Sequence, residues 1–430
     1  MSAAEVLAHG VGGRQDLPIP FSFALLGAAA AVAVSFVAVA TLRRTSRLRG
    51  TAAGRPIPAM LQAVADSAAL RSALRVLGLA VTMFVATIAM LGADGPDNPT
   101  AGFVYVVFWV GLVPASLLFG PVWRLLNPLR TVHRALSAVA GVRPERGLWN
   151  YPGWLGYWPA AAGLFAFVWL ELVAPGRTEP TAVLVWFAAY AAVHLLGSSL
   201  FGSGWFDRAD AFEVYSALIG RLALLGRRGD GRLVLRNPMD GLDGLRSAPG
   251  LVATVCVLLG STAFDGFSNA PLWIDAVQSS PSPTLVGTLG LIGAVLLVAA
   301  VFTAGIAVAA RTGAGRQPAS AFAHSVVPIA VGYLVAHYFS LFLFEGQRTI
   351  ILASDPLDSG SNLLGLAERQ VNFSLATPTT IATVQVLAVV AAHDRAVRLM
   401  PGRNAALGQI PLLVLMILYT VGGLTLLFAA

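Results

Sequence analysis

Apolar runs of about 20 residues, the length that crosses a roughly 30 Å hydrocarbon core, recur along this chain and leave little room for any other architecture. In that solvent each backbone N–H and C=O must be satisfied within its own segment, and runs this long do so as helices. They fall at residues 20–42, 75–93, 101–119, 154–173, 181–201, 251–268, 284–309, 322–344, 377–393 and 408–428, which predicts an all-α, polytopic bundle of ten membrane helices forming one transmembrane domain. The runs at 251–268 and 377–393 are short enough to be half-buried or broken helices. Of the 430 residues, 57% are hydrophobic and 11% charged. A soluble globular chain is roughly a quarter charged, so an ordinary water-soluble enzyme is excluded.

The arginines orient the bundle. All 28 basic residues are arginine. With the N-terminus outside, the inner segments hold seven at 43–75, five at 124–146, seven at 208–246, two at 311 and 316 and three at 395–403, 24 in all. The outer segments hold only Arg14, Arg177, Arg348 and Arg369. Basic residues stay on the cytoplasmic side, so both termini are expected outside. Acids lean the other way, 12 outside and 9 inside, and the net charge of +7 resolves into +15 inside and −8 outside. The basic excess is a topology signal. The arginines are too scattered among apolar runs to form a nucleic-acid groove, and the partners they suit are the bilayer and its anionic lipids. Arg43, Arg44, Arg47 and Arg49 follow the first run, the reverse of a cleaved signal peptide. The first helix is therefore expected to remain as an anchor in a bacterial cytoplasmic membrane. The single cysteine, Cys256, excludes an intramolecular disulfide and a thiolate-rich metal centre.

Two loops carry structure of their own. The inner loop 202–250 contains Asp210-Ala211-Phe212-Glu213, a capping-box-like start, followed by Phe212, Tyr215, Ile219 and Leu222 on one face. This predicts an amphipathic helix, lying on the cytoplasmic leaflet or packed under the bundle. Asn-Pro occurs twice on the inner side, at Asn127-Pro128 and Asn237-Pro238, each after an outside-to-inside helix, as a parallel duplication requires. The outer loop 345–376, with turn residues and an apolar patch at Leu363, Leu364 and Leu366, reads as a lid-like or re-entrant segment or as a disordered loop.

Ionisable side chains at membrane depth are functional candidates by default. His337 is the deepest histidine, and Glu345 follows about 12 Å along the helix and some 80° round it. Glu171 ends the fourth run and Asp265 the sixth, near the same outer surface. One histidine with three carboxylates suits a proton relay or a divalent metal ion. The alternative is solvated helix-end acids and a His337 bonded to a neighbouring helix. A second, inward group comprises His194, on a stripe with Trp186, Tyr190 and Ser198, together with His324, Gln385 and His393 as polar pathway positions. Pro328 leaves the His324 carbonyl without its helical donor. No His-Glu-x-x-His, Gly-x-Ser-x-Gly or phosphate-binding glycine loop is present.

Several stretches together carry a resemblance: His9-Gly10-Val11-Gly12-Gly13-Arg14-Gln15-Asp16-Leu17-Pro18-Ile19-Pro20, Trp123-Arg124-Leu125-Leu126-Asn127-Pro128, Ser261-Thr262-Ala263-Phe264-Asp265-Gly266, and the run from His337-Tyr338-Phe339-Ser340 to Gln347. Over nearly the whole chain the sequence resembles a bacterial multi-pass membrane family labelled fenitrothion hydrolase-like. That resemblance implies the polytopic architecture and hydrolysis of an organophosphate ester, with no catalytic residues to carry over. The residues themselves favour handling or translocation of a small solute or ion through an outward-opening polar cavity, with His337, Glu171, Asp265 and Glu345 at its centre. The alternatives are a membrane-embedded hydrolase in which the same groups hold a metal, and a non-catalytic assembly subunit.

Overall fold

The computed structural model describes residues 52–244, 247–309, 311 and 319–372. The runs at 20–42, 377–393 and 408–428 lie outside the described residues, as do Gln385 and His393. In chain order the elements are β1 (Arg55–Pro56), α1 (Ala59–Asp66), α2 (Ala68–Leu91), a π-helix (Gly102–Val110), α3 (Leu112–Phe119), α4 (Trp123–Leu126), α5 (Pro128–Val139), α6 (Trp158–Leu172), α7 (Pro180–Phe201), α8 (Phe206–Ala209) and α9 (Ala211–Ile219). There follow β2 (Leu225–Arg227), β3 (Leu233–Leu235), α10 (Leu251–Ser268), α11 (Pro271–Gln278), α12 (Pro283–Ala309) and α13 (Ala319–Leu352).

The structure is mostly helical. Five helical stretches among the described residues are long and apolar enough to cross a membrane: Ala68–Leu91, Gly102–Phe119, Pro180–Phe201, Leu251–Ser268 and Pro283–Val308. Trp158–Leu172 is apolar but shorter. Their outward faces carry exposed Val76, Leu77, Met83 and Met90 on α2, Val185, Val193 and Leu196 on α7, and Leu289, Leu296 and Leu297 on α12. Contiguous apolar surface on this scale marks contact with lipid or protein. The chain is a membrane-embedded helical protein in this coarse sense.

Local chemistry sets the ends of these helices. Ser67 caps α2 through its hydroxyl, which accepts from Leu70 N at 3.1 Å. Pro128 opens α5 at the first turn, where a missing N–H costs nothing, and the Asn127 side chain accepts from Leu129 and Arg130 N. The second Asn-Pro pair opens only a short 3₁₀ turn, Pro238–Gly244, so the two are not structural equivalents. Where α2 crosses α4, a Cβ on Gly78 would lie 1.8 Å from the Leu126 carbonyl oxygen. Only hydrogen fits there.

α6 and α10 start side by side. Tyr157 N donates to Pro249 O at 2.7 Å, and Gly250, with φ 78°, would place a Cβ 2.4 Å from Trp158 N. The two helices therefore run parallel from a common end. At that end a three-stranded antiparallel sheet, order β1-β3-β2, pairs Arg55 with Leu235 and Leu225 with Leu235. It is tied to α1 by Arg227–Asp66 at 2.6 Å and by Leu233 N donating to Gln62 Oε1 at 2.6 Å. The sequence pattern shows no strands here because three residues are too few to display a period of two.

Of the two placements open to the amphipathic helix, on the leaflet or packed under the bundle, the structure takes the buried one. In α9 every residue except Ala217 is buried, because its N-terminal charge finds partners in the bundle and its aromatic residues pack against three walls. Phe212 lies 4.9 Å from Phe167 and 4.7 Å from Phe108, and Tyr215 stacks on Trp109 at 4.2 Å.

α13 extends through Leu352, two turns beyond the expected run, and is continuous through Pro328. The segment 353–372 after it is hydrogen-bonded to itself and to α13. Asn372 N donates to Gln347 Oε1 at 2.9 Å, and Leu363 N donates to Ser354 O at 2.8 Å. Leu363 and Leu364 remain exposed. Asp355 accepts from Ser361 Oγ at 2.7 Å, Ser359 N at 3.0 Å and Gly360 N at 2.7 Å. Those donors, Ser361 first, hold its carboxyl down to about 2.

Two outcomes follow for the fold. Gly78→Ala forces α2 off α4 and costs about 1–3 kcal/mol, as overpacking does, whereas Gly293→Ala, with nothing within 4 Å of the added Cβ, is neutral. Thermal unfolding of the two variants in the same detergent checks this pair. For the loop, a depressed carboxyl contributes order that is present above its unfolded value and lost as pH falls through its folded value. Protection of the Ser359 and Gly360 amides against hydrogen exchange is therefore expected to hold at neutral pH, weaken only as pH falls toward about 2, and vanish at all pH in Asp355→Ala.

Candidate functional site

The parallel pair α6 and α10 carries a carboxylate at matched height. From Trp158 to Glu171 and from Gly250 to Asp265 the helices rise about 20 Å, so both acids stand at the far end of the pair. Glu171 is 2% exposed and Asp265 is 0% exposed. Their charges act on each other. A third helix joins them, since Tyr338 of α13 donates its hydroxyl to Asp265 Oδ2 at 2.8 Å. Arg177, in the turn after α6, acts electrostatically on both acids.

The turn is held by the π-helix. Its wider i→i+5 winding, seen where Gly111 N donates to Val106 O at 3.0 Å, presents Tyr105 and Trp109 to the core. Tyr105 donates its hydroxyl to the Arg177 carbonyl at 2.7 Å, which fixes the backbone that carries the guanidinium. Glu171 acts electrostatically on Tyr105, Tyr215 and Tyr338. The Tyr215 hydroxyl is buried and has no hydrogen-bond partner among the described residues. Two acids, one guanidinium and three phenols thus meet in one buried place. Among the described residues the cluster is one positive charge short when both acids are ionised, and a proton or a bound cation would complete it.

Of the residues singled out in the sequence, Glu171 and Asp265 come together. Glu345 stands apart, half-buried on α13 and 3.9 Å from Arg348. His337 and His324 lie on α13, and their side chains lie outside the described residues. Among the described residues no group of three histidine, cysteine or acidic side chains is placed to hold a metal ion. Tyr105, Tyr215, Tyr338 and Arg177 carry no motif. Arg177 nonetheless had a signal, as one of only four arginines on the acid-rich side.

The second polar cluster surrounds the start of α9. The Asp210 carboxylate caps the helix through Phe212 N at 2.9 Å and Glu213 N at 3.0 Å, and also accepts from Tyr190 Oη at 3.0 Å and Asn127 Nδ2 at 2.9 Å. Glu213 does not fold back to complete the capping box. Arg130 grips it with two bonds, Nε to Oε2 at 3.1 Å and Nη2 to Oε1 at 2.6 Å, and Nη2 reaches Asp207 Oδ1 at 2.9 Å. His194 is buried, accepts from Trp205 Nε1 at its Nδ1 at 2.9 Å, and packs 4.1 Å from the Tyr190 ring. That places its ring in the packing of α7, α8 and the turn between them. The cluster reads as the anchor of α9, and the acid pair as the reactive candidate.

No family model, curated protein or solved structure matches the chain.

Breaking the anchor has a measurable cost. Removing one partner of a buried, bidentate ion pair leaves the other uncompensated and costs about 3–5 kcal/mol. Arg130→Ala and Glu213→Ala are each expected to lose that much in reversible unfolding in detergent, and the double variant less than their sum.

Proposed function

We propose that this chain is a polytopic protein of the bacterial cytoplasmic membrane that moves a proton or small cation, alone or with a small solute, through a polar cavity opening outward. Glu171 and Asp265 are its ion-binding groups. Tyr338 is the hydroxyl that reports the state of Asp265 to α13, and His337 and Glu345 lie on the same helix along the exit route. Both termini and the acid-rich end face outward in this reading, as the arginine distribution requires.

The observation that carries the proposal is the pair of buried carboxylates on two parallel helices, with a single described guanidinium acting electrostatically on both. Like charges so placed cannot both stay ionised without a counter-charge. Uptake and release of one positive species is the change of state such a pair supports best. The coupling to three helices through Tyr338, Tyr105 and Tyr215 gives the change a mechanical outlet, since a two-state element must make different contacts in its two states.

The metal-dependent ester hydrolase that the family resemblance implies needs His337 to join Glu171 and Asp265 around one ion. Equimolar metal in the purified chain, lost in His337→Ala, would move the assignment to that reading.

The test is flux. In liposomes loaded with a pH-sensitive dye, the reconstituted wild-type chain is expected to collapse an imposed proton gradient faster than empty liposomes when sodium or potassium is offered. Asp265→Asn and Glu171→Gln should each reduce the rate at least tenfold while eluting as the wild type in size exclusion, with a smaller loss in Tyr338→Phe. Equal rates in wild type and both carboxamide variants would sink the proposal.

A further inference from the structure

An apolar cavity runs along α2, apart from the side chains of the acid pair. Arg75, Gly78, Thr82, Val85 and Ala89 follow at steps of three and four and form one stripe of α2. All but Arg75 line the cavity, which is of about 370 Å³, within the range that small apolar ligands occupy. The cavity's other walls are the π-helix, with Val107 and Phe108, and α7, with Phe187 and Ala191. Arg75 therefore sits at the end of an apolar slot, one turn beyond its last lining residue.

That end carries Arg75, Arg124, Arg130 and Arg134; Asp210, which lines the cavity, is taken up by the cap of α9, Tyr190 and Asn127, and Asp207 and Glu213 by Arg124 and Arg130. Arg75 and Arg124 both press like charge on Arg134, and Glu145 is the acid that offsets them. Arg124 is engaged with Asp207 at 3.2 Å. Arg75 and Arg134 form no ion pair among the described residues, and Arg134 Nε is buried with no hydrogen-bond partner among them. Beside Arg124 in sequence, Trp123 lines the cavity, and its Nε1 is a second buried donor with no partner among the described residues. A buried donor without an acceptor costs free energy. Cations beside the mouth and an apolar slot behind them match, in order, the phosphate and an acyl chain of one molecule.

We propose that this cleft holds one anionic phospholipid, its phosphate between Arg75 and Arg134 and an acyl chain between α2 and α7. The site stands independently of the ion-handling role of Glu171 and Asp265. It lies at the arginine-rich end, where anionic headgroups gather in the reading of orientation given above.

Native mass spectrometry of the full chain in detergent tests it, with dioleoyl phosphatidylglycerol, dioleoyl phosphatidylcholine and inorganic phosphate as probes. One phosphatidylglycerol per chain is expected, bound at least tenfold more tightly than phosphatidylcholine. Arg75→Gln and Arg134→Gln should each weaken it about fivefold, the equivalent of roughly 1 kcal/mol for a basic side chain near an anionic surface, and Arg75→Lys should retain most of it. Ala86→Phe, which fills the slot, should cost tenfold or more, with Ala191→Phe on the opposite wall as the second filling variant. Equal binding of the two lipids, or no response to the arginine variants, would overturn the proposal. So would displacement by inorganic phosphate with no effect of either filling variant, which would make the site one for a free anion.

Discussion

The buried ion pair between Arg130 and Glu213 is the interaction on which the described bundle depends. A nine-residue helix with a carboxylate in its first turn has no intrinsic reason to enter an apolar interior, where an unpaired charge costs several kcal/mol. It enters because α5 brings a guanidinium to meet it, and α5 stands where it does because Asn127 and Pro128 start it sharply. Asn127 serves both helices at once, capping α5 with its oxygen and donating to Asp210 with its amide nitrogen. With α9 in place, its aromatic side chains supply the contacts that hold α6, α7 and the π-helix at their spacing. The polar anchor sets position, and the apolar face supplies most of the contact area.

The same helix separates two environments. On one side lie the anchor and the arginine-rich end. On the other, Tyr215 of α9 reaches the electrostatic range of Glu171. Between them Trp109, Phe167, Phe212 and Trp186 form a continuous aromatic layer, with Phe212 within 6.5 Å of Trp186 and 6.3 Å of Trp109. Such a layer offers water little beyond the two indole N–H donors of Trp109 and Trp186.

The sequence carries much of this plan, and the parts it hides have physical reasons. The apolar runs mark α6, α7, α10 and α12 closely because each satisfies its backbone internally over a long apolar stretch, whereas α2 begins at Ala68, ahead of its run, where Arg71 and Arg75 interrupt the apolar pattern. The acids Glu171 and Asp265 stand out because charge is rare in such runs. The depth of α9 is not legible, since an amphipathic stripe of Phe212, Tyr215 and Ile219 suits a leaflet surface as well as a protein interior, and only the distant Arg130 decides between them. Tyr338 and Tyr105 are silent for a related reason. A tyrosine in an apolar helix reads as packing until the partner of its hydroxyl, far away in sequence, is known. The small sheet escapes because register over two or three residues is fixed by neighbours and not by pattern.

The position of the aromatic layer bears on how an ion could pass. In the proposed function the acid pair is reached from the outward end, and the layer beneath it closes the way to the arginine-rich end. The described conformation is then the one occluded toward the inside. Passage requires the layer to part, and the elements that meet both the layer and the acids are few: α9 through Phe212 and Tyr215, and the π-helix through Trp109 and Tyr105. α9 is clamped at its start by four hydrogen bonds to Asp210 and a bidentate pair, which resists displacement of that end. Beyond its middle it is tied by Ser216, whose hydroxyl bonds Ser116 at 2.8 Å and accepts from Trp123 N at 3.3 Å, neutral contacts of about 1 kcal/mol each. The asymmetry favours a swing of the Tyr215 end about a fixed Asp210, over a translation of the whole helix. A π-turn, with its looser hydrogen-bond geometry, is the neighbour best able to accommodate that swing, because shifting one bond from i→i+5 to i→i+4 moves Trp109 without breaking the helix.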